Sequence, residues 1–223
     1  GIPGVMYVGA ISGVIGSFFY ERHVSNAAAA MVPFLAVMIP LLCCLLGSLL
    51  MGLLYCFLTV TLRANQNVTG LALTIFGTGF GNFFGGSLST LAGGVGQISV
   101  AITGDAYRAK IPLLSKIPVI GDIFFNYGFL TYFAIIITLL MAFFLKRTRW
   151  GLNLNAVGES PATADAAGIN VTLYKYLATV IGGGIAGLGG LYFVMEYSGG
   201  TWTNNGFGDR GWLAIALVIF ALW

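Results

Sequence analysis

The stretch GLNLNAVGESPATADAAGIN, Gly151 to Asn170, decides how this chain is read. It sets about twenty mostly small and polar residues between two strongly apolar segments. Ser160 is a residue type whose hydroxyl caps a helix start. Pro161 then takes the first helical position, where its missing N–H costs nothing. The run ATADAA continues with helix-tolerant residues, and Gly168 can adopt the left-handed conformation that closes a helix. The pattern predicts a short helix over about residues 161–167, roughly 10 Å long. A helix that short is marginal in water on its own. Flanking membrane helices or a partner protein must hold it. From spacing alone it is either a well-capped connector or a docking element that presents a rigid helix end to another protein.

The surroundings of this stretch are membrane-like. The chain has 223 residues, of which 58% are hydrophobic and 8% charged, and its mean hydropathy is +0.92. That charged share is about a third of the share in soluble domains. The 33 glycines, combined with so much apolar content, fit close-packed membrane helices. The expected fold is an all-α integral membrane protein, a polytopic bundle of transmembrane helices with broken or irregular segments. Residues 1–223 read as a single, incomplete transmembrane domain. The chain opens at Gly1 inside an apolar run and stops at Trp223, twelve residues after Gly211. Twelve helical residues reach about 18 Å, against a hydrocarbon core of about 30 Å. The chain is therefore expected to be a fragment truncated at both ends.

The charges mark the segments. Residues 1–20 are uncharged, and Glu21, Arg22 and His23 form a polar break. His23, with no Cys, Asp or second His beside it, reads as a loop histidine rather than a metal ligand. Residues 24–62 carry no charge; Pro33 and Pro40 in the first half suggest a lead-in segment and one long or kinked helix. Whether this stretch is one membrane segment or two stays open. Arg63 to Gln66 is the next break. The glycine-laced run to about Ser89 is expected to end in, or break into, irregular backbone, which membranes tolerate only under cover of protein or water. Residues 90–127 read as a long polar connection with interfacial pieces. Tyr127–Leu145 and Tyr174–Met195 are the next spans, 196–210 a polar loop, and a last helix starts at Gly211.

Alternation puts Arg63, Lys146, Arg147, Arg149 and Lys175 on one side of the membrane. It puts Arg22, Arg108, Lys110, Lys116 and Arg210 on the other. The count ties, so the positive-inside rule gives only a lean, from the cluster at 146–149, toward a cytoplasmic 151–172 loop. The net charge of +3 does not make a nucleic-acid surface. Cys43, Cys44 and Cys56 lie within one apolar run and read as small buried hydrophobes rather than disulfides or metal ligands.

Several residues are candidates for a role. Asn65, Gln66, Asn67 and Asn82 are uncharged amides beside apolar spans, able to hydrogen-bond sugar hydroxyls or base edges, and Phe83 and Phe84 could stack on a ring. The plainer alternative is that Asn65 to Asn67 only cap a helix. Gly183, Ala186, Gly187 and Gly190 recur at the spacing that lets helix backbones approach closely, either inside the bundle or at a subunit interface. No charge falls deep in any span, which disfavours an ion-coupled secondary transporter, the reading from a different class. No phosphate-binding loop of the G-x-x-x-x-G-K-[ST] kind occurs.

The 151–169 stretch resembles the cytoplasmic loop of permease subunits in bacterial ABC importers for branched-chain amino acids, ribose-type sugars and nucleosides. Gly151, Ala156, Val157, Gly158, Pro161, Ala164, Ala167, Gly168 and Ile169 fall on that family's pattern; Ser160 and Thr163 depart from it. LRANQNVTGLALTIFGTG at 62–79, KIPVIGDIFF at 116–125 and RGWLAIALVIF at 210–220 resemble the branch for simple sugars and nucleosides. Branched-chain amino acids are the runner-up substrate.

The resemblance implies a multi-pass subunit of the bacterial plasma membrane that is not itself an enzyme. Its implied partners are a cytoplasmic ABC ATPase holding ATP and Mg, a second permease subunit, identical or different, and an extracytoplasmic substrate-binding lipoprotein. It also implies that the 161–167 helix is a coupling helix seated on the ATPase. Ala156, Gly158, Glu159, Ser160, Pro161, Ala164, Asp165 and Gly168 would form that contact. Asn65, Gln66, Asn67, Asn82 and Phe83 are the candidates for the translocation path. No metal, cofactor or nucleic acid is expected on this chain.

Overall fold

The computed structural model describes residues 1–27, 32–94, 97–109 and 127–221. Nine helices run in the order α1 (Ile2–Ala27), α2 (Pro33–Cys56), α3 (Gln66–Leu91), α4 (Ala101–Tyr107), α5 (Phe129–Arg147), α6 (Arg149–Glu159), α7 (Pro161–Ala166), α8 (Val171–Tyr192) and α9 (Arg210–Ala221) among the described residues. Five segments are long and apolar enough to cross a membrane: α1, α2, α3, α5 and α8. Both α2 and α8 end in a π-helical turn, Phe57–Thr61 and Phe193–Tyr197. The fold is all-α and polytopic, with two three-residue strands as its only sheet among the described residues.

Among its described residues, the 24–62 region holds the end of α1 and one long helix with its π-helical end. Pro33 sits at the start of α2, where proline is tolerated, and Pro40 lies inside it and is buried. His23 is exposed on α1, not in a loop, because the helix continues through the Glu21–His23 charges to Ala27. The predicted break in the glycine run of α3 does not occur. Gln66–Leu91 is one unbroken helix. Gly77, Gly81 and Gly85 are there for contact. A Cβ on Gly77 would lie 2.4 Å from the carbonyl oxygen of Gly4 on α1, and one on Gly4 would lie 2.1 Å from that of Leu73. Only residues without side chains let the two backbones meet this closely.

The same device joins α8 to the bundle. A Cβ on Gly187 would meet the Ser48 side chain of α2 at 2.3 Å, and one on Gly190 would meet the carbonyl oxygen of Met6 at 2.2 Å. Gly183 faces Gly52. Ala186 packs against the small cluster of Val5, Val8, Met51 and Leu73. Cys44 is buried and donates its thiol to the Gly187 carbonyl at 3.2 Å, so it serves α2–α8 packing; all three cysteines are free.

Helices α1, α2, α3 and α8 thus share one core. The described connections alternate between two faces. The face carrying the α2–α3 turn and helices α6 and α7 is the loop face; the opposite one carries the strands. There β1 (Gln97–Ser99) pairs antiparallel with β2 (Thr201–Thr203), Ile98 opposite Trp202. The polar connections 90–127 and 196–210 are therefore tied to each other, and Trp202 is fully buried against Tyr7 and Phe207. Tyr107 of α4 is also buried and donates its hydroxyl to the Val37 carbonyl. Burial raises its pKa, and the nearby Cys44 and Glu196 add to the effect, so the hydroxyl keeps the proton it donates. The segment KIPVIGDIFF, with Lys110 and Pro112 before it, lies outside the described residues.

Candidate functional site

The connection between α5 and α8 is built from two helices rather than one. Thr148 turns the chain: its hydroxyl donates to the Phe144 carbonyl at 2.7 Å and accepts from the Gly151 N–H at 3.1 Å, so it caps α6. Gly151 is buried where α6 folds back on α5, and a Cβ there would sit 2.3 Å from the Phe144 carbonyl oxygen. The sequence predicts a helix only over about 161–167, yet residues 149–159 are helical too. Their buried side runs from Gly151 through half-buried Leu154 to Val157, while Leu152, Asn155, Gly158 and Glu159 are exposed. The usable signal was Thr148, a capping residue three positions ahead of the small Gly151.

Ser160 then separates α6 from α7. Its backbone is extended, and its hydroxyl accepts weakly from the Thr163 N–H at 3.4 Å. The same hydroxyl lies 2.8 Å from that of Thr163. Pro161 occupies the first turn, and α7 spans Pro161–Ala166. Gly168 has φ +81°. The Gly168 and Ile169 N–H groups return to the carbonyls of Asp165 and Ala164. This satisfies the last orphan carbonyls of a helix that short. Asn170 caps α8 by accepting from the Leu173 N–H at 3.1 Å. Ala164 is the buried anchor of α7; Pro161, Ala162, Thr163, Asp165 and Gly168 are exposed, as are Gly158 and Glu159 before them. Ala156 is half-buried. The link is braced sideways by Asn153, whose amide donates to the Tyr174 hydroxyl at 2.9 Å, and by Trp150 against the same ring.

A cavity of about 630 Å³ opens between α1, α2, α3, α8 and α9. Gln66, Asn67, Tyr55 and Thr179 supply its polar lining, and Trp212 and Ile215 close one wall. Asn65 does not line it. Its side chain accepts from the Asn67 and Val68 N–H groups and caps α3, the plainer of the two roles the sequence allowed. Asn82 is also engaged elsewhere. It donates to the Asn205 side chain at 2.8 Å and accepts from the Asn205 N–H at 3.0 Å. Asn205 has φ +56°, so this pair pins a left-handed turn after β2. Phe83 does not line the cavity; it is exposed and packs edge-on against Phe84. Of the five path candidates the structure brings only Gln66 and Asn67 together at the cavity.

One residue escaped the sequence reading. Glu196, in the π-turn after α8, accepts from the Leu130 N–H and from the Thr131 hydroxyl at 3.0 Å. It satisfies the orphan donors at the start of α5 and holds that helix end to α8. Gly128 gives it room: a Cβ there would lie 2.4 Å from the carboxylate carbon. Nothing local marks Glu196, since its partners are 65 and 66 residues away.

Among known proteins, the family described as "Branched-chain amino acid transport system / permease component" matches residues 1–223. A nucleoside ABC transporter permease of Lactococcus lactis is 34% identical, and a guanosine ABC transporter permease of Bacillus subtilis is 31% identical. Each alignment covers 100% of this chain and 66% of the relative. A putative glucose ABC transporter permease of Haloferax volcanii is 32% identical over 100% of this chain and 61% of its own length. The chain thus spans between three fifths and two thirds of the length of these relatives. No solved structure matches it.

Proposed function

We propose that this chain, which belongs to the permease-component family of branched-chain amino acid transport systems, forms part of the membrane path of an ABC importer for nucleosides or simple sugars. It is a multi-pass protein of the plasma membrane. Relatives named for nucleosides, guanosine and glucose, each aligned over the whole chain, favour those substrates over branched-chain amino acids. In this reading ATP and Mg bind a separate cytoplasmic ATPase. A second permease subunit and an extracytoplasmic binding lipoprotein complete the assembly.

The observation that carries the reading is α7. It is a six-residue helix capped at both ends, with most of its surface exposed and a single buried anchor, Ala164. A mere connector between α5 and α8 does not need such closure. A knob that must keep its shape while seated in another protein does. Movement of the ATPase would push α7, and α6 would pass that push into α5, which would shift against the seam that joins α8 to α1 and α2.

The test is coupling in the reconstituted full complex. Replacing residues 161–166 by a Gly-Ser linker should abolish substrate-stimulated ATP hydrolysis and uptake while leaving the permease folded. If stimulation persists, α7 is only a connector. Uptake by the permease without its ATPase would support a stand-alone secondary transporter instead. Competition of guanosine, ribose and leucine for uptake separates the substrate classes.

A further inference from the structure

We propose that the α5–α6 corner is a binding site for anionic phospholipid, which fixes the orientation of the loop that carries α7. Helix α5 is the least enclosed of the long helices: only Leu130 of its residues is buried. Its outward face carries Ile136, Leu139, Leu140 and Phe143, the last three at 60% exposure or more. These are large, fully apolar groups. Helix–helix interfaces in membranes favour small residues, whereas bulky aliphatic and aromatic groups of this kind suit acyl chains.

At the loop-face end, this apolar stripe runs directly into Lys146, Arg147 and Arg149, all exposed. Among the described residues, none of the three makes an ion pair; the one salt bridge found joins Arg108 and Asp105 on the other face. From Tyr127 to Gly158 there is no acidic residue. By chain order the loop face holds five basic residues against two acidic ones, while the opposite face holds five of each. The whole net charge of the chain is therefore on the loop face. Trp150, half-exposed next to Arg149, stands where an indole favours the boundary between headgroup and hydrocarbon. An acyl-sized apolar stripe, three uncompensated cations and an indole suited to the headgroup boundary thus lie together at one corner, matching the apolar and anionic parts of such a lipid. Juxtamembrane cations of this kind draw anionic headgroups through the surface potential of the bilayer.

The site goes beyond the transport reading and does not depend on it. Because α6 folds back on α5 through buried Gly151, a headgroup held at 146–149 would also hold the direction in which α6 leaves the membrane.

The experiment uses the full-length protein in detergent and in nanodiscs. Native mass spectrometry should show retained phosphatidylglycerol in preference to phosphatidylcholine by roughly tenfold or more at low salt. The K146Q/R147Q/R149Q variant should lose that preference, and added salt should erode it in the wild type. A melting curve shows whether the variant is folded; if it is not, R147Q alone and the salt titration decide. Equal retention of the two lipids by the wild type, or an unchanged preference in a folded variant, would overturn the proposal. So would efficient cross-linking in native membranes from Leu140→Cys to another subunit or another part of this protein, because that face would then be covered by protein.

Discussion

Helices α5 and α8 flank the same loop yet are held in opposite ways. Helix α8 meets α1 and α2 backbone to backbone, through Gly183, Gly187 and Gly190, along its middle. Helix α5 touches the bundle at its ends. Glu196 clasps its first turn, and Thr148 and Gly151 fold α6 against its last. Between those ends a cavity of about 450 Å³ separates it from α8, lined by Ile137 and Thr138 on one side and Ile185 and Leu188 on the other. A glycine seam has one arrangement, because any shift opens a gap or makes a clash. A helix held at two points can tilt without breaking backbone contacts. The loop carrying α7 joins a helix packed along its length to one held at its ends, the arrangement the proposed coupling role would use.

The strongest way to break this contrast is to damage the seam. Gly190→Leu forces a side chain against the Met6 carbonyl and should cost about 3 kcal/mol, the upper end of the overpacking range, since backbone cannot yield as a side chain does. Loss of folded protein in detergent, read by gel filtration and thermal melting, checks this. Removing the clasp comes next. Glu196→Ala leaves the start of α5 without its acceptor and should cost about 1–3 kcal/mol. Hydrogen exchange should rise at residues 129–132 and not in the α8 glycines. Glu196→Gln keeps an acceptor oxygen and should lose less.

The cap of α7 is a smaller effect. Ser160→Ala should destabilise that helix by about 1 kcal/mol, with faster amide exchange over 161–168 and an unchanged melting temperature. The smallest effect belongs to the outer face of α5. Leu140→Ala should change stability by no more than about 0.5 kcal/mol, because an exposed side chain loses little on truncation.

Much of this was legible in the sequence. The apolar runs between charges gave the spans, because a bilayer demands about twenty uncharged residues per helix and the chain supplies them. Ser160, Pro161 and Gly168 are local signals, and they act locally: each acts within a few residues of itself. What stayed hidden depends on distant partners. Glycine in α3 reads as a helix breaker until Gly4 stands opposite Gly77. Asn82 reads as a free amide until Asn205, 123 residues on, takes both its hydrogen bonds. Glu196 reads as a loop charge until α5 begins beside it. Helix α6 was missed for a smaller reason, since its buried face is only Gly151 and Val157, too few apolar residues to show a period.

The central claim is that α5 moves against a fixed α8 when α7 is pushed. Spin labels at Ile137 and Ile185, on either side of the 450 Å³ gap, measure it in the reconstituted complex. A second pair between α1 and α8 serves as the reference. The account predicts a changed distance across the gap when the nucleotide-free complex is trapped with ATP, and an unchanged α1–α8 distance. No change across the gap, or an equal change in both pairs, would contradict it.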